Sequence, residues 1–540
     1  MIELDAFQKE AVDEASKAYP GRRYKPLFQD VGLGKTVQYA RIAEFVAGRT
    51  KGITWLITIK TAKQGQLEKI MMSDRRVASK NDILIIDGDE LTRKLQFGMA
   101  LYKPPLWIIL NYDQLRLHAD ILVKMINPEK DVLILDEVDL IQNSTSDRSL
   151  VATAMACKAH YRIVATATAV KNKVDSIYAS LKACDPAGIH HETMHLNGQE
   201  VNLPVPEESS FWGSQGDFLR RYAVFDDYGR IIGSRNIPEL HRRLEDFGAS
   251  IVAADEVMDF KVLPPAYRDV FLYPEAQGIY NQIKTGIIEW AEENEWDYRR
   301  GGAQEKAHLK LKLLSQINYA RRLVGGLSPE NFIRLIRMNK AKRENDGKLD
   351  DDLLSRLNLN KMEVGGNAKM DAAVKYVSQF DEPGGIAVYS EWTDVLDEFE
   401  QASKPQHQRL GFGKITGAVP DKERQRVIKG VESGDVRLVA LSDAGGRSID
   451  LPGLNKVLVL TPPWTHSQVE QTFGRVARRG QDKPMQITYL VTQSTIESKR
   501  MMPVLSQKGQ DSDRIKYGQR GKRSNPLMGI ESLYEVVGWL

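Results

Sequence analysis

The chain has 540 residues, of which 42% are hydrophobic and 27% charged, so it is long enough for two or three packed cores at ~100–200 residues per domain. This composition excludes a fibre, a small disulfide-stapled protein and a chain disordered along most of its length. The 75 lysines and arginines against 72 acidic residues leave a formal net charge of +3. A nucleic-acid-binding face must therefore be local.

Two further features bear on the compartment. Cys157 and Cys184 are the two cysteines, too few for a thiolate zinc cage or a disulfide framework. The first residues lack a basic segment followed by an apolar one, and no apolar run approaches the ~18 residues of a membrane span. We expect a soluble intracellular protein in a reducing compartment, with no membrane partner.

Short apolar runs alternate with helical patterns in the first third of the chain. Buried strands alternating with amphipathic helices, here residues 37–47 and 115–126, predict a doubly wound α/β layer. The runs with the length and β-branched content of parallel strands are residues 53–59, 83–87, 106–110, 132–135 and 162–166.

The same pattern returns late in the chain, at residues 386–389, 437–441, 456–460 and 486–491. Two α/β units therefore flank a different middle segment. Within that middle, the helical periodicity and charge of residues 275–300 and 305–324 predict two long helices.

Several residues of the middle segment have competing interpretations. Trp290, Trp296 and Tyr298 fit either a stacking surface for bases or a helix core, and their helical spacing favours the core. His190, His191 and His195 have no cysteine nearby and no fixed ligand spacing, so a metal site is not favoured.

Residues 32–36 (GLGKT) form a glycine-rich turn that leads into a predicted helix. Such a turn presents backbone N–H groups and the positive end of the helix dipole to phosphate oxygens. Lys35 would reach the β- and γ-phosphates, and the Thr36 hydroxyl would bind Mg²⁺. Gln29 occupies the first glycine position of the full phosphate-loop pattern, so this segment alone leaves a plain capped loop as an alternative.

An apolar run over residues 133–135 delivers Asp136 and Glu137 at its carboxyl end, the edge at which open α/β sheets bind ligands. Asp136 would hold Mg²⁺, and Glu137 would orient or deprotonate the attacking water. An acidic helix cap is the alternative. The glycine-rich turn and this acidic strand end lie in one α/β unit, however, and together they favour a nucleotide hydrolase.

Arg475 and Arg478 lie three residues apart in the basic segment 471–481. They therefore share one face of a predicted helix. Such a pair could neutralise charge on a γ-phosphoryl group, as an arginine finger does, if it faced the phosphate loop across a cleft. The alternative is a solvated basic helix face.

Together these segments resemble the core of superfamily 2 helicases, and more narrowly the Swi/Snf-type DNA translocases. The resemblance runs in order from Phe7 to Gln481. The matching segments are residues 7–8 (Q motif), 28–36 (I), 57–66 (Ia), 111–115 (Ib), 136–139 (II), 166–169 (III), 388–391 (IV), 416–425, 442–451 (V), 462–464 and 471–481 (VI). Departures from the pattern are Ala167 and Ala169 in motif III, Arg447 in motif V and Ala477 in motif VI.

The resemblance implies roles for individual residues. ATP is the expected substrate and Mg²⁺ the expected cofactor, held by Thr36 and Asp136. ATP contacts are implied for Phe7, Gln8, Gly32, Leu33, Gly34, Lys35, Thr36 and Gln471, and catalysis for Lys35, Asp136, Glu137, Arg475 and Arg478. Coupling of hydrolysis to strand contacts is implied for Thr166 and Thr168. Backbone contacts to duplex or branched DNA are implied for Lys60, Thr61, Asn111, Thr416, Ser442 and Arg447.

The fold that the resemblance implies is α/β, with two tandem RecA-like domains built on parallel sheets and carrying helical insertions. We expect an N-terminal lobe over 1–260, with a helical or irregular insertion at about 186–260. A C-terminal lobe over 261–505 would carry a helical protrusion at about 274–362. A basic tail and brace-like segment would follow over 506–540.

The expected function is a monomeric DNA-dependent ATPase that translocates on double-stranded DNA in replication, recombination or repair. One alternative is a helicase that separates or anneals strands on forked DNA, and another is a nucleotide-gated DNA clamp without turnover. A motor of this size resembles those of bacteria and their phages, which implies a cytoplasmic, nucleoid-associated location.

Overall fold

The structure, a computed structural model, describes residues 2–167, 174–226, 231–257, 263–345, 365–443, 453–463 and 483–503 together with a few single positions. The chain divides into two compact units. The described residues of the first unit lie between 2 and 257, and those of the second between 263 and 505. Each unit has a parallel sheet flanked by helices, which confirms the predicted α/β class.

The first unit is built on a seven-stranded sheet in the order β11-β1-β6-β5-β2-β4-β3, in which every pair is parallel. The strands of this unit are β1 (Tyr24–Gln29), β2 (Thr54–Thr58), β3 (Ile83–Ile85), β4 (Trp107–Asn111), β5 (Val132–Asp136), β6 (Tyr161–Thr166), β7 (Pro186–Leu196), β8 (Gln199–Ser209), β9 (Ala223–Phe225), β10 (Ile231–Ser234) and β11 (Ser250–Val252). All five predicted runs of the first third are confirmed as strands.

Helices cover both faces of this sheet. Alternate residues of β2 belong to two different apolar cores, with Trp55 and Ile57 in one and Leu56 in the other. Because both faces are buried, the strands read as continuous apolar runs. The helices are α1 (Ala6–Ala18), α2 (Lys35–Thr50), α3 (Lys63–Ser73), α4 (Glu90–Tyr102), α5 (Tyr112–Leu117), α6 (Ala119–Met125), α7 (Asp147–Lys158), α8 (Asp175–Cys184), α9 (Gln215–Tyr222), α10 (Ile237–Asp246) and α11 (Ala254–Val257).

The insertion predicted as helical or irregular begins instead with a long antiparallel hairpin of β7 and β8. Its turn is Asn197-Gly198, and both residues have positive φ values, 50° and 76°, as a two-residue type I′ turn requires. Val201 and Leu203 on β8 are buried in the first unit. The prediction of a helical or irregular insertion did not include this hairpin, although an Asn-Gly turn between alternating residues is a hairpin signal. Further along the insertion, residues 215–222 and 237–246 are helical.

Two of the three histidines of this hairpin, His190 and His195, lie near glutamates on its surface. His190 lies 3.7 Å from Glu207 and His195 lies 3.6 Å from Glu200. Within the described ranges, no group of three or more His, Cys, Asp or Glu side chains is arranged to hold a metal ion.

The second unit has a six-stranded sheet in the order β12-β17-β16-β13-β15-β14, again parallel throughout. Its strands are β12 (Ala266–Val270), β13 (Ile386–Tyr389), β14 (Phe412–Ile415), β15 (Leu438–Leu441), β16 (Lys456–Val459) and β17 (Gln486–Thr492), and the helices among them are α15 (Ala368–Ser378), α16 (Thr393–Ala402), α17 (Lys404–Leu410) and α18 (Asp421–Ser433). The four runs predicted late in the chain are confirmed as β13, β15, β16 and β17.

A helical protrusion interrupts the second unit after β12. It consists of α12 (Pro274–Arg300), α13 (Ala303–Val324) and α14 (Pro329–Asn345), which confirms the two long helices predicted from periodicity. Trp290 and Tyr298 are buried in the apolar core, as favoured, but Trp296 is 62% exposed. None of the described helices has the length and apolarity needed to span a bilayer.

Candidate functional site

The loop between β1 and α2 has the conformation that its glycines permit. Gly32 and Gly34 have φ values of 89° and 71°, in a region that glycine adopts without steric cost. The helix begins at Lys35, so the positive end of its dipole lies at this loop. The Lys35 ammonium donates to the carbonyl oxygens of Gln29 (2.9 Å) and Asp30 (3.0 Å). The loop is therefore shaped as an anion cradle with a cation beside it.

Gln29, which replaces the usual first glycine, is part of a buried amide network. Its Nε2 donates to Gln38 Oε1 (2.8 Å) and to Ser250 Oγ (2.8 Å). Gln38 Nε2 donates in return to Gln29 Oε1 (2.7 Å). The network ties the end of β1 to α2 and to β11, so the departure from the motif has a structural use that the sequence did not reveal.

Gln8, predicted to read the adenine edge, lies against the loop. Its Nε2 donates to the Leu33 carbonyl oxygen at 2.8 Å, and its Oε1 accepts from the Asp5 N–H at 3.1 Å. Phe7 beside it is half-buried. Gln8 thus fixes α1 to the phosphate loop, and its contact with adenine stays a prediction.

Asp136 lies at the carboxyl end of β5, where neighbouring strands fix its carboxylate. Thr58 Oγ1 and Gln66 Nε2 each donate to Asp136 Oδ2 at 3.0 Å. The hydroxyl of Tyr112 donates to the Asp136 carbonyl oxygen at 2.9 Å. Sequence reasoning assigned no role to these three donors, although all lie in segments that resemble motifs Ia and Ib.

Burial, and after it the charge of neighbouring Glu137, raise the pKa of Asp136 from its usual 3.8 to about 7. Lys35 and the hydrogen bond from Thr58 act in the opposite direction. Lys35 therefore lies close enough to act on Asp136 electrostatically. The phosphate loop and the acidic strand end thus lie near each other at one edge of the sheet.

Glu137 has a strained backbone and an unused carboxylate oxygen. Its φ and ψ are both 51°, a left-handed conformation that is uncommon for residues other than glycine and clusters at functional sites. Glu137 Oε2 is buried and has no hydrogen-bond partner among the described residues. A buried acceptor of this kind fits a water molecule, so the site suits a hydrolase.

The ends of β5 and β6 are joined by a polar contact. Thr166 Oγ1 donates to Asp139 Oδ1 at 3.2 Å, and both side chains are buried. This contact lies between the segments that resemble motifs II and III. Thr168, the other predicted coupling residue, lies outside the described residues.

The predicted DNA-contact residues follow the carboxyl ends of strands. Lys60 follows β2 in a short turn that also contains Thr61. The side chain of Lys60 is exposed. Asn111 ends β4, Thr416 follows β14 and Ser442 follows β15, and all three are buried at 5% or less. Asn111 also caps α5 by accepting from Gln114 N–H at 3.1 Å. Direct phosphate contacts by these three side chains are therefore not favoured.

The remaining predicted site residues, Arg447, Gln471, Arg475 and Arg478, lie outside the described residues. So does the basic tail that was predicted from residue 506 onward.

Asp136→Asn is expected to stabilise the protein at pH 8 in the absence of metal and nucleotide. The folded-state pKa is raised, so native stability falls as the pH rises from about 4 through about 7. Asparagine keeps an acceptor for Thr58 and Gln66 but carries no charge. We expect a gain of a few kcal/mol at pH 8 and roughly a third of that gain at pH 5, read from thermal unfolding at both pH values. Equal gains at the two pH values would contradict the raised pKa.

Comparisons with known proteins fit this geometry. The family model described as the helicase conserved C-terminal domain matches residues 368–480. A DNA repair and recombination protein RAD54-like from Drosophila pseudoobscura pseudoobscura is 25% identical over 73% of this chain and 46% of its own length. The ATP-dependent helicase FUN30 of Saccharomyces cerevisiae is 22% identical over 92% of this chain and 45% of its own length.

Among solved structures, the Sulfolobus solfataricus SWI2/SNF2 ATPase core in complex with dsDNA is 18% identical with a TM-score of 0.37 and covers 96% of this chain and 94% of its own. The present chain spans about half the length of the RAD54-like protein and of FUN30. By this domain match and these relatives, the chain is similar to the Snf2-type helicases of superfamily 2.

Proposed function

We propose that this chain is a DNA-dependent ATPase that translocates on double-stranded DNA in replication, recombination or repair. The observation that carries the proposal is the meeting of the phosphate loop, Lys35, Asp136 and Glu137 at the carboxyl edge of one parallel sheet. The names of the RAD54-like relatives refer to DNA repair and recombination, which supports DNA as the track.

The described residues divide the work of hydrolysis among themselves. The N–H groups of the phosphate loop and the Lys35 ammonium would bind the β- and γ-phosphates. Thr36 and Asp136 would hold Mg²⁺, which when bound neutralises charge that develops on the phosphate oxygens. Glu137, with its unpartnered buried oxygen, would orient the attacking water and accept its proton.

The donor set fits the magnesium nucleotide. Mg²⁺ prefers carboxylate and hydroxyl oxygens and keeps several waters, and Asp136 and Thr36 provide one oxygen ligand each. The roles predicted for Gln471, Arg475 and Arg478 in nucleotide binding and catalysis, and for Arg447 in DNA contact, are part of the same proposal.

The proposed DNA contacts are to the backbone, so binding is expected to be independent of sequence and sensitive to salt. Lys60 is exposed and would contribute a charged contact. At Asn111, Thr416 and Ser442 the side chains are buried, so exposed groups of the neighbouring turns would meet the phosphates instead.

Steady-state phosphate release with single-stranded DNA, duplex, forked DNA and RNA tests the proposal. DNA that contains a duplex, blunt or forked, is expected to stimulate hydrolysis most, and Lys35→Ala is expected to abolish the stimulation because it removes the cation from the phosphate loop. Hydrolysis that no nucleic acid accelerates, or a Lys35→Ala variant with wild-type turnover, would overturn the assignment.

The same substrates separate the alternatives. A translocase displaces a triplex-forming strand without melting the duplex beneath it, whereas a strand-separating or annealing helicase changes the pairing of forked DNA. A nucleotide-gated clamp binds DNA with ATP but releases no phosphate.

A further inference from the structure

The large aromatic residues near the end of α12 differ in their exposure to solvent. Trp290 is fully buried and Tyr298 is 6% exposed, whereas Trp296 is 62% exposed. Tryptophan is highly buried on average in folded proteins. A single large aromatic ring left in solvent on a helix whose other aromatic residues are packed is therefore a candidate contact for another molecule.

Trp296 lies near the outer end of the protrusion. Close to its start, α12 is fixed to the sheet, because the Tyr280 hydroxyl accepts from the Ile496 N–H at 2.9 Å. Trp296 is sixteen residues further along, roughly 24 Å at 1.5 Å per residue. The chain turns at Gly301-Gly302 and α13 returns to the sheet, where Thr492 Oγ1 donates to the Val324 carbonyl oxygen at 2.9 Å. The turn is therefore the end remote from the sheet.

A cation holds the exposed ring in place. The Arg300 guanidinium carbon lies 3.7 Å from the centre of the Trp296 ring, a close cation–π contact. Neighbouring Arg299 pairs with the mostly buried Glu295 at 2.7 Å, but in the part of the chain that the structure describes, Arg300 makes no ion pair. Arg300 covers one face of the ring, so most of its exposure belongs to the other face and the edges.

We propose that Trp296 and Arg300 bind an unpaired nucleobase and its phosphate, so that the tip of the protrusion recognises forks, frayed ends or other junctions between duplex and single strand. The free face of the ring suits a flat base, and Arg300 has a charge available for phosphate. A base inside a duplex has both faces occupied by its neighbours, so it cannot stack on the ring. The proposal rests on the DNA-dependent function and narrows its substrate to branched DNA.

Equilibrium binding to a blunt duplex and to the same duplex with two unpaired arms tests this inference. A fluorescent adenine analogue at the first unpaired position reports stacking through quenching. The wild type is expected to prefer the fork and to quench the analogue. Trp296→Ala should lower the preference about 5- to 100-fold and abolish quenching, whereas Trp296→Phe should retain most of both because it keeps an aromatic face.

Leu311→Ala is the matched control. Leu311 is also on the protrusion and 67% exposed, but it is aliphatic, so its replacement should leave the fork preference unchanged. A fork preference that is unchanged in Trp296→Ala would overturn the inference and favour a protein partner at the tip. A loss of fork preference in Trp296→Phe and in Leu311→Ala as large as that in Trp296→Ala would also overturn it. Failure of the proposed function gives a different result, namely no stimulation of wild-type hydrolysis by any DNA.

Discussion

Glu137→Gln lowers kcat for ATP hydrolysis by about 10³-fold or more while ATP still binds. Glutamine keeps the size of the side chain but cannot accept a proton, and general-base catalysis typically contributes about 10²–10⁴-fold. The change leaves the phosphate loop and Lys35 in place, and removing the Glu137 charge lowers the pKa of Asp136, which favours its ionised form. The loss should therefore appear in turnover and not in the affinity for nucleotide.

Single-turnover hydrolysis and the binding of a fluorescent ATP analogue separate these two quantities. Glu129→Gln is the matched control, because Glu129 is an exposed acidic residue of the same unit with no part in the site. The control should hydrolyse ATP at the wild-type rate. Turnover of Glu137→Gln within tenfold of wild type would remove Glu137 from its proposed role, and a parallel loss of ATP binding would make that role structural.

Two features of this site could be predicted from the sequence, because each is encoded by a short local pattern. The strand ending at Asp136 reads as an apolar run because both faces of the sheet are covered, and the loop over residues 32–36 reads as glycines before a helix. Each feature is complete within a few consecutive residues. Both were therefore placed correctly before the fold was known.

The supporting contacts were not predictable in the same way. Thr58, Gln66 and Tyr112 come from two segments of the chain and meet at Asp136 because β2 lies beside β5 and β4 is the next strand beyond it. Strand order is a property of the whole chain, so no window of sequence contains it. Gln29 is similar, since its partner Ser250 is 221 residues away.

Burial also separates the predicted DNA contacts. Lys60, Asn111, Thr416 and Ser442 all follow strands, and their motif positions make them equivalent in sequence. The structure buries the side chains of Asn111, Thr416 and Ser442 and exposes that of Lys60. Motif position thus predicts the edge of the sheet but not which atoms face outward.

Lys369→Met is expected to destabilise the second unit by about 3–5 kcal/mol. Lys369 lies at the start of α15 and pairs with Glu497, and both side chains are 1% exposed. Lys369 Nζ also donates to the Leu460 carbonyl oxygen (2.8 Å), and Glu497 Oε2 accepts from the Thr492 N–H (2.9 Å). Removing the lysine leaves a buried carboxylate with too few partners for its charge.

Replacing both partners, as in Lys369→Met with Glu497→Leu, is expected to restore most of the stability. Burial lowers the pKa of Lys369 and raises that of Glu497, so desolvation outweighs the attraction between them. An apolar pair of similar volume avoids that cost. Scanning calorimetry of the two single variants and the double variant measures the coupling.

Arg426→Met, in a pair whose side chains are 81% and 50% exposed, should change stability by less than about 0.5 kcal/mol. Single variants as mild as this control would mean that the buried pair is already neutral in the folded protein.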